Sequence, residues 1–220
     1  MSAPSTPSRP DDPHAGQSVL RFGPDPDRAR LAAVLAHGRG GSAQDMLSLA
    51  RDLRTTDVLY LAPQAAANTW YPQSFLAPIE ANEPWLGSAL RFLSRVVSEL
   101  GRRGFPPDRI VLLGFSQGAC LTLELAARNA RRYAGVVGLS GGVIGPPGTP
   151  RSYSGSMSGT PLFLGCSDDD PHIPLERVHE SAEIFRSLGA KVDERIYPSL
   201  GHTVNRDEID AVRDLLASAD

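Results

Sequence analysis

The sequence predicts an α/β fold, a mostly parallel central sheet with helices on both faces, and three observations carry it. Apolar runs such as Leu31–Ala36 and Ile110–Leu113 lack polar alternation, as strands buried on both faces do. Longer stretches between them space their apolar residues by three and four, the helical period, so strand and helix alternate along the chain. At 220 residues, 41% of them hydrophobic, the chain can bury one sizeable core. Residues 17–220 are expected to form a single domain, and the Pro/Ser-rich residues 1–16, His14 among them, a disordered tail.

In order, Ser18–Phe22 reads as a short edge strand, and Leu31–Ala36 as a buried strand that runs into His37–Gly38–Arg39–Gly40–Gly41. Ser42 followed by Asp45 resembles a capping box for a helix through Leu53, with Met46, Leu49, Ala50 and Leu53 on one face. Val58–Leu61 is the next strand, closed by Ala62–Pro63, and an aromatic-rich loop spans Asn68 to about Pro78. From about Glu80 to Arg103, Leu86, Leu90, Leu93, Val97 and Leu100 mark a helix that Gly104 and Pro106–Pro107 end. Beyond the strand at Ile110, further strands are expected at Gly135–Leu139, Pro161–Gly165 and Lys191–Tyr197. Helices are expected from Leu175 to Leu188 and from Asn205 to Leu216. Between Leu139 and Pro161 there is only a Gly/Pro/Ser-rich loop, hence no large cap over the fold and a rather open cleft.

The chemistry centres on Gly114–Phe115–Ser116–Gln117–Gly118. A strand precedes it and helix-forming residues, Ala119 to Arg128, follow. This is the pattern of a nucleophile elbow: a serine at a strained turn, with glycines two residues either side because strand and helix approach too closely for a Cβ. The turn also leaves the Gln117 N–H at a helix start, able to face a developing negative charge. Gly138–Leu139–Ser140–Gly141–Gly142 fits the same pattern, but Val143–Ile144–Gly145–Pro146–Pro147 after it cannot be a helix, so Ser116 is the candidate nucleophile.

A serine hydroxyl needs a base to take its proton and a carboxylate to hold that base. Of the five histidines, His202 sits in the loop between the last strand and the last helix, where loops at strand carboxyl ends converge. His37 reads as loop-shaping, His172 as an edge residue and His179 as a surface or helix-packing one. The acid is sought between Ser116 and His202, where Asp168–Asp169–Asp170 follows a strand. Three adjacent aspartates cannot all be desolvated, so two of them should face water or cap the next helix.

Together, His37–Gly38–Arg39–Gly40, the elbow at Ser116, Asp170–Pro171–His172–Ile173–Pro174 and Gly201–His202 resemble the carboxylesterase/phospholipase branch of the α/β-hydrolases, which includes the acyl-protein thioesterases. The similarity covers nearly everything after residue 16. It implies the α/β-hydrolase fold and a Ser-Asp-His triad. The acid is assigned by the family's D-x-x-[VI]-P element to Asp170, with Asp168 the alternative. It also implies an oxyanion hole made by the backbone N–H groups of Arg39 and Gln117. The family often carries an uncharged residue where Arg39 stands; this guanidinium is expected to pair with Asp45 or Glu83, the alternative being an anionic substrate group. Serine at 116 argues against the cysteine chemistry of the related dienelactone hydrolases, and Cys120 is expected in the core.

Trp70, Tyr71 and Phe75, from the aromatic loop, and Ile173 are the expected substrate-binding residues. The expected function is a serine esterase cleaving carboxylic esters, thioesters included. The alternatives are a non-catalytic ligand-binding or receptor protein on the same fold and an acyltransferase using the same residues. No cofactor or metal is implied. A net charge of −3 gives no pull toward nucleic acid, and no apolar run is long enough to span a membrane. The partner expected is a small-molecule ester or thioester, with a homodimer left open. Without a secretory signal, and with Cys120 and Cys166 read as free buried thiols, the cytoplasm is the expected compartment.

Overall fold

The computed structural model describes residues 11–219. Its strands are β1 (Val19–Phe22), β2 (Leu31–Ala36), β3 (Val58–Pro63), β4 (Ile110–Phe115), β5 (Gly135–Leu139), β6 (Pro161–Ser167) and β7 (Lys191–Tyr197). The helices are α1 (Ala43–Asp52), α2 (Trp85–Arg102), α3 (Gln117–Arg128), α4 (Leu175–Ser187) and α5 (Arg206–Ser218). The seven strands form one sheet in the order β1-β3-β2-β4-β5-β6-β7, with only the edge strand β1 antiparallel.

Both faces of the sheet are covered, as strands without polar alternation require. Along β2, Leu31, Ala33 and Leu35 pack with α1 and α5, where Met46, Leu47, Val212 and Leu215 are buried. The alternate residues Ala32, Val34 and Ala36 pack with α2, α3 and α4, through Leu86, Leu93, Leu121 and Val178. The chain leaves β2 by α1 on one face and reaches β4 from β3 by α2 on the other. β2 and β4 are nevertheless neighbours, with Ala36 opposite Gly114. Their connections therefore diverge and open a crevice at the strands' carboxyl ends, the place where open α/β sheets bind ligands.

Helix α1 starts on the capping box read in the sequence, Ser42 and Asp45 bonding each other's backbone N–H. Helix α2 starts at Trp85, later than the apolar spacing implied, after a short 3-10 turn at Ile79–Asn82. Pro84 is the reason: it has no N–H to continue a helix and disfavours helical backbone at Glu83. The segment joining β5 to β6 contains no helix, and it is anchored by buried charges. Glu124 accepts from the Ile144 N–H at 3.1 Å, and Arg177 donates to the Val143 and Gly145 carbonyls at 2.8 and 2.6 Å.

One expectation is corrected. Residues 1–10 lie outside the described residues, but 11–16 pack on the fold. His14 is fully buried, its ring 5.5 Å from both Trp70, tilted, and Trp85, edge-on, and desolvation there holds its pKa below the usual histidine range. Its Nε2 donates to the Trp70 carbonyl at 3.0 Å and its Nδ1 accepts from the Ala66 N–H at 3.1 Å, the tautomer following from those partners. The tail's proline-rich composition concealed a histidine that two tryptophans and two backbone groups hold in place. Among the described residues no helix is long and apolar enough to cross a membrane.

Candidate active site

Ser116 joins β4 to α3 with φ 54° and ψ −122°, a backbone conformation that L-residues rarely adopt. The flanking glycines make it attainable. A Cβ on Gly114 would lie 2.2 Å from the Gly118 carbonyl oxygen, and one on Gly118 would lie 2.1 Å from that of Ala36. Strand, elbow and helix thus pack with backbone against backbone. The Ser116 N–H donates to the Leu139 carbonyl at 2.9 Å, tying the elbow to the end of β5.

The loop after β7 brings His202 to this serine. Ser116 Oγ lies 2.8 Å from His202 Nε2, and His202 Nδ1 lies 2.7 Å from Asp170 Oδ2. The Asp170 side chain is fully buried and that of His202 is 19% exposed. Since a buried carboxylate accepts, Nδ1 carries the proton, and Nε2 is left to accept from the serine hydroxyl. The imidazole is flanked by the Phe115 ring at 5.2 Å and, edge-on, by His172 at 4.8 Å.

The other two aspartates position the loop. Asp168 accepts from the Ser199 N–H at 2.8 Å, and Asp169 from the Gly201 N–H at 3.0 Å and Ser167 Oγ at 2.6 Å. Both are exposed, as charge repulsion requires, and both hold the segment that carries His202. Ser167, fully buried, accepts from the Leu200 and Gly201 N–H groups at 2.9 and 3.0 Å. No pattern in the sequence singles it out, because side-chain bonds to a distant loop leave no periodic trace.

Gln117 is bonded through its side chain to the 69–71 loop. Its Oε1 accepts from the Trp70 N–H at 2.9 Å and its Nε2 donates to the Tyr71 carbonyl at 2.7 Å. Neither its backbone N–H nor that of Arg39 has an acceptor among the described residues. His37 shapes the Arg39 loop. Its Nδ1 donates to the Gly38 carbonyl at 2.7 Å, its Nε2 accepts from the Ala65 N–H at 3.0 Å, and its own carbonyl accepts from the Trp70 indole at 2.7 Å. Gly38 lies so close to the elbow that a Cβ there would be 3.3 Å from the Ser116 Cβ.

Ser116, Gln117 and His202 open into a cleft of about 560 Å³, walled by Arg39, Tyr71, Phe75, Cys120, His172 and Ile173. Tyr71, Phe75 and Ile173 thus stand where a ligand would lie. Trp70 does not line the cleft, contrary to expectation. Its indole is fully buried between the rings of His14 and His37 and is spent on the His37 carbonyl. Arg39 pairs with neither Asp45 nor Glu83. Asp45 is engaged in its capping box, and Glu83 accepts from the Gly87 N–H at 3.0 Å. Ser140 is sealed from solvent, so the second elbow-like pattern has no access to a substrate. Cys120 and Cys166 are free and buried, and burial pushes both thiols up to about 12. Among the described residues no group of His, Cys, Asp and Glu could hold a metal ion.

Known proteins share this architecture. A family model described as phospholipase/carboxylesterase matches residues 24–219. Acyl-protein thioesterase 1 of Debaryomyces hansenii is 29% identical over 205 residues, covering 82% of this chain and 88% of that protein. That of Gibberella zeae is 31% identical over 119 residues, where the match spans about half of each protein, 51% and 49%. The crystal structure of a phospholipase/carboxylesterase from Dyadobacter fermentans superposes with a TM-score of 0.88 at 42% identity, covering 92% of this chain and 97% of that one. A Bacillus cereus carboxylesterase, 19% identical, shares the fold with a TM-score of 0.73 over 94% of this chain and 96% of its own. The chain belongs to the phospholipase/carboxylesterase family and is an esterase of the α/β-hydrolase fold.

Proposed function

We propose that the chain hydrolyses carboxylic esters, thioesters included, through an acyl-enzyme on Ser116, with His202 as base and Asp170 as its orienting acid. The observation that carries this is the unbroken relay Ser116 Oγ–His202 Nε2–Asp170, at 2.8 and 2.7 Å, opening into the cleft. Ser116 Oγ attacks the acyl carbon while Nε2 takes its proton. The Asp170 carboxylate holds the tautomer and stabilises the imidazolium. The carbonyl oxygen, now negative, receives the Arg39 and Gln117 backbone N–H groups, which have no other acceptor among the described residues. His202 returns the proton to the leaving alkoxide or thiolate. A water molecule, deprotonated by the same nitrogen, then releases the acid and restores the hydroxyl.

The test is Ser116→Ala. Hydrolysis of p-nitrophenyl butyrate is expected to fall by at least about 10⁴-fold, with thermal unfolding close to wild type. A fluorophosphonate is expected to label the wild type and leave the variant unlabelled. A variant that retains its rate, or a wild type that resists the label, overturns the reading, and the second result points to a non-catalytic ligand-binding protein.

A further inference from the structure

Among the described residues Arg39 is the one permanently charged side chain lining the cleft, and no carboxylate shares the lining with it. Its Nη1 donates to Thr69 Oγ1 at 3.1 Å and to the Pro72 carbonyl at 3.0 Å, and its Nη2 donates to the Gln73 carbonyl at 2.7 Å. All three acceptors are neutral, so they fix the guanidinium without cancelling its charge. The Tyr71 ring, 5.9 Å away, supports it from the side. A guanidinium carries five N–H donors. With two used on Nη1 and one on Nη2, the Nε–H and one Nη2–H have no partner among the described residues. Nε and Nη2 share one edge of the guanidinium, the edge on which two oxygens of a carboxylate are accepted together. Because the loop already holds the side chain, binding an anion costs little further ordering.

We propose that Arg39 is a specificity-determining residue whose guanidinium receives a carboxylate on the substrate, so that the preferred substrates are esters with one anionic arm. The inference rests on Ser116 being the nucleophile of this cleft. The other lining side chains agree with it: Gln73, Ser74 and His172 add polar surface, and none adds a negative charge that would repel such an arm.

The experiment compares kcat/KM within two matched pairs at about pH 8, where the carboxylate arms are ionised. p-Nitrophenyl monoadipate against its terminal amide places the charge on the acyl arm. The acetyl ester of 4-hydroxybenzoate against that of 4-hydroxybenzamide places it on the leaving group. The wild type is expected to favour the carboxylate in one pair by about 10-fold or more, and about 0.5 M salt to shrink that preference. In Arg39→Met the ratio is expected to fall to about one, and in Arg39→Lys, a point charge without the fork, to an intermediate value. A wild-type ratio near one in both pairs, or an Arg39→Met ratio equal to wild type, overturns the proposal. Fluorophosphonate labelling of each variant reports an intact elbow. A wild type that is labelled but shows no preference is a failure of the Arg39 proposal alone, whereas an unlabelled wild type is a failure of the Ser116 reading. Should Arg39→Met not fold, the wild-type ratio and its salt dependence still decide.

Discussion

The Asp170 carboxylate accepts at both oxygens: from His202 Nδ1 at Oδ2, and from the His172 and Ile173 N–H groups at Oδ1, at 2.8 and 3.1 Å. The Cys166 thiol is a fourth donor, to Oδ2 at 3.8 Å, so both oxygens are needed as acceptors. In Asp170→Asn the amide nitrogen must face either two N–H groups or the imidazole, which forces the wrong His202 tautomer. The expected cost is about 10⁴-fold in kcat with the fold retained. Asp168→Asn keeps an oxygen for the Ser199 N–H and leaves the relay untouched, so a change of only a few-fold is expected. Equal losses in the two variants would contradict the assignment of Asp170. As neighbours the three aspartates are chemically indistinguishable, and the requirement that two stay solvated does not say which; the D-x-x-[VI]-P element of the resemblance is what points to Asp170. Arg39 was misread for a related reason. Its neutral acceptors are carbonyls and a hydroxyl 30 to 34 residues away, which charge pairing along a sequence does not anticipate.

At the scale of elements, the strand–elbow–helix unit was legible because its cause is local. The approach of β4, α3 and the end of β2 forbids a Cβ at Gly114 and Gly118, so the glycines themselves record the geometry. The same holds for the α1 capping box, whereas the late start of α2 was missed, because the apolar spacing runs on past Pro84. The segment 11–16 was not legible, since nothing periodic marks a chain that docks by single residues. His14 packs on the turn that feeds Trp70, whose own N–H anchors Gln117. His14→Ala leaves the Ala66 N–H and the buried Trp70 carbonyl without these partners and opens space between two indoles. A loss of about 2–4 kcal/mol is expected, seen as a fall in Tm of roughly 5–10 °C. A Tm within about 1 °C of wild type would show that the strap adds nothing to stability.

For the whole molecule, three buried titratable groups set opposing limits on stability against pH. Burial lowers the pKa of His14 and His37, so below about 6.5 the unfolded chain binds protons that the folded chain refuses. Stability from these two is present at neutral pH and lost as pH falls below that value. Glu208 acts in the reverse sense. It is fully buried at the start of α5; Oε2 accepts from the Asn205 N–H at 2.8 Å, while Oε1 has no partner among the described residues. Desolvation raises its pKa from 4.5 to about 7, so the folded chain holds a proton the unfolded chain releases. Its contribution is complete below about 4.5 and is lost as pH rises through about 7, a swing of roughly 3 kcal/mol. The two effects cross, and Tm is expected to peak near about pH 6 and to decline on both sides. Glu208→Gln keeps an oxygen for the Asn205 N–H and cannot ionise, so its Tm should decline less than wild type between about pH 6 and 8.5, with the acid limb unchanged. Calorimetric scans of both proteins across that range decide the matter, and parallel alkaline limbs would exclude Glu208 as their origin.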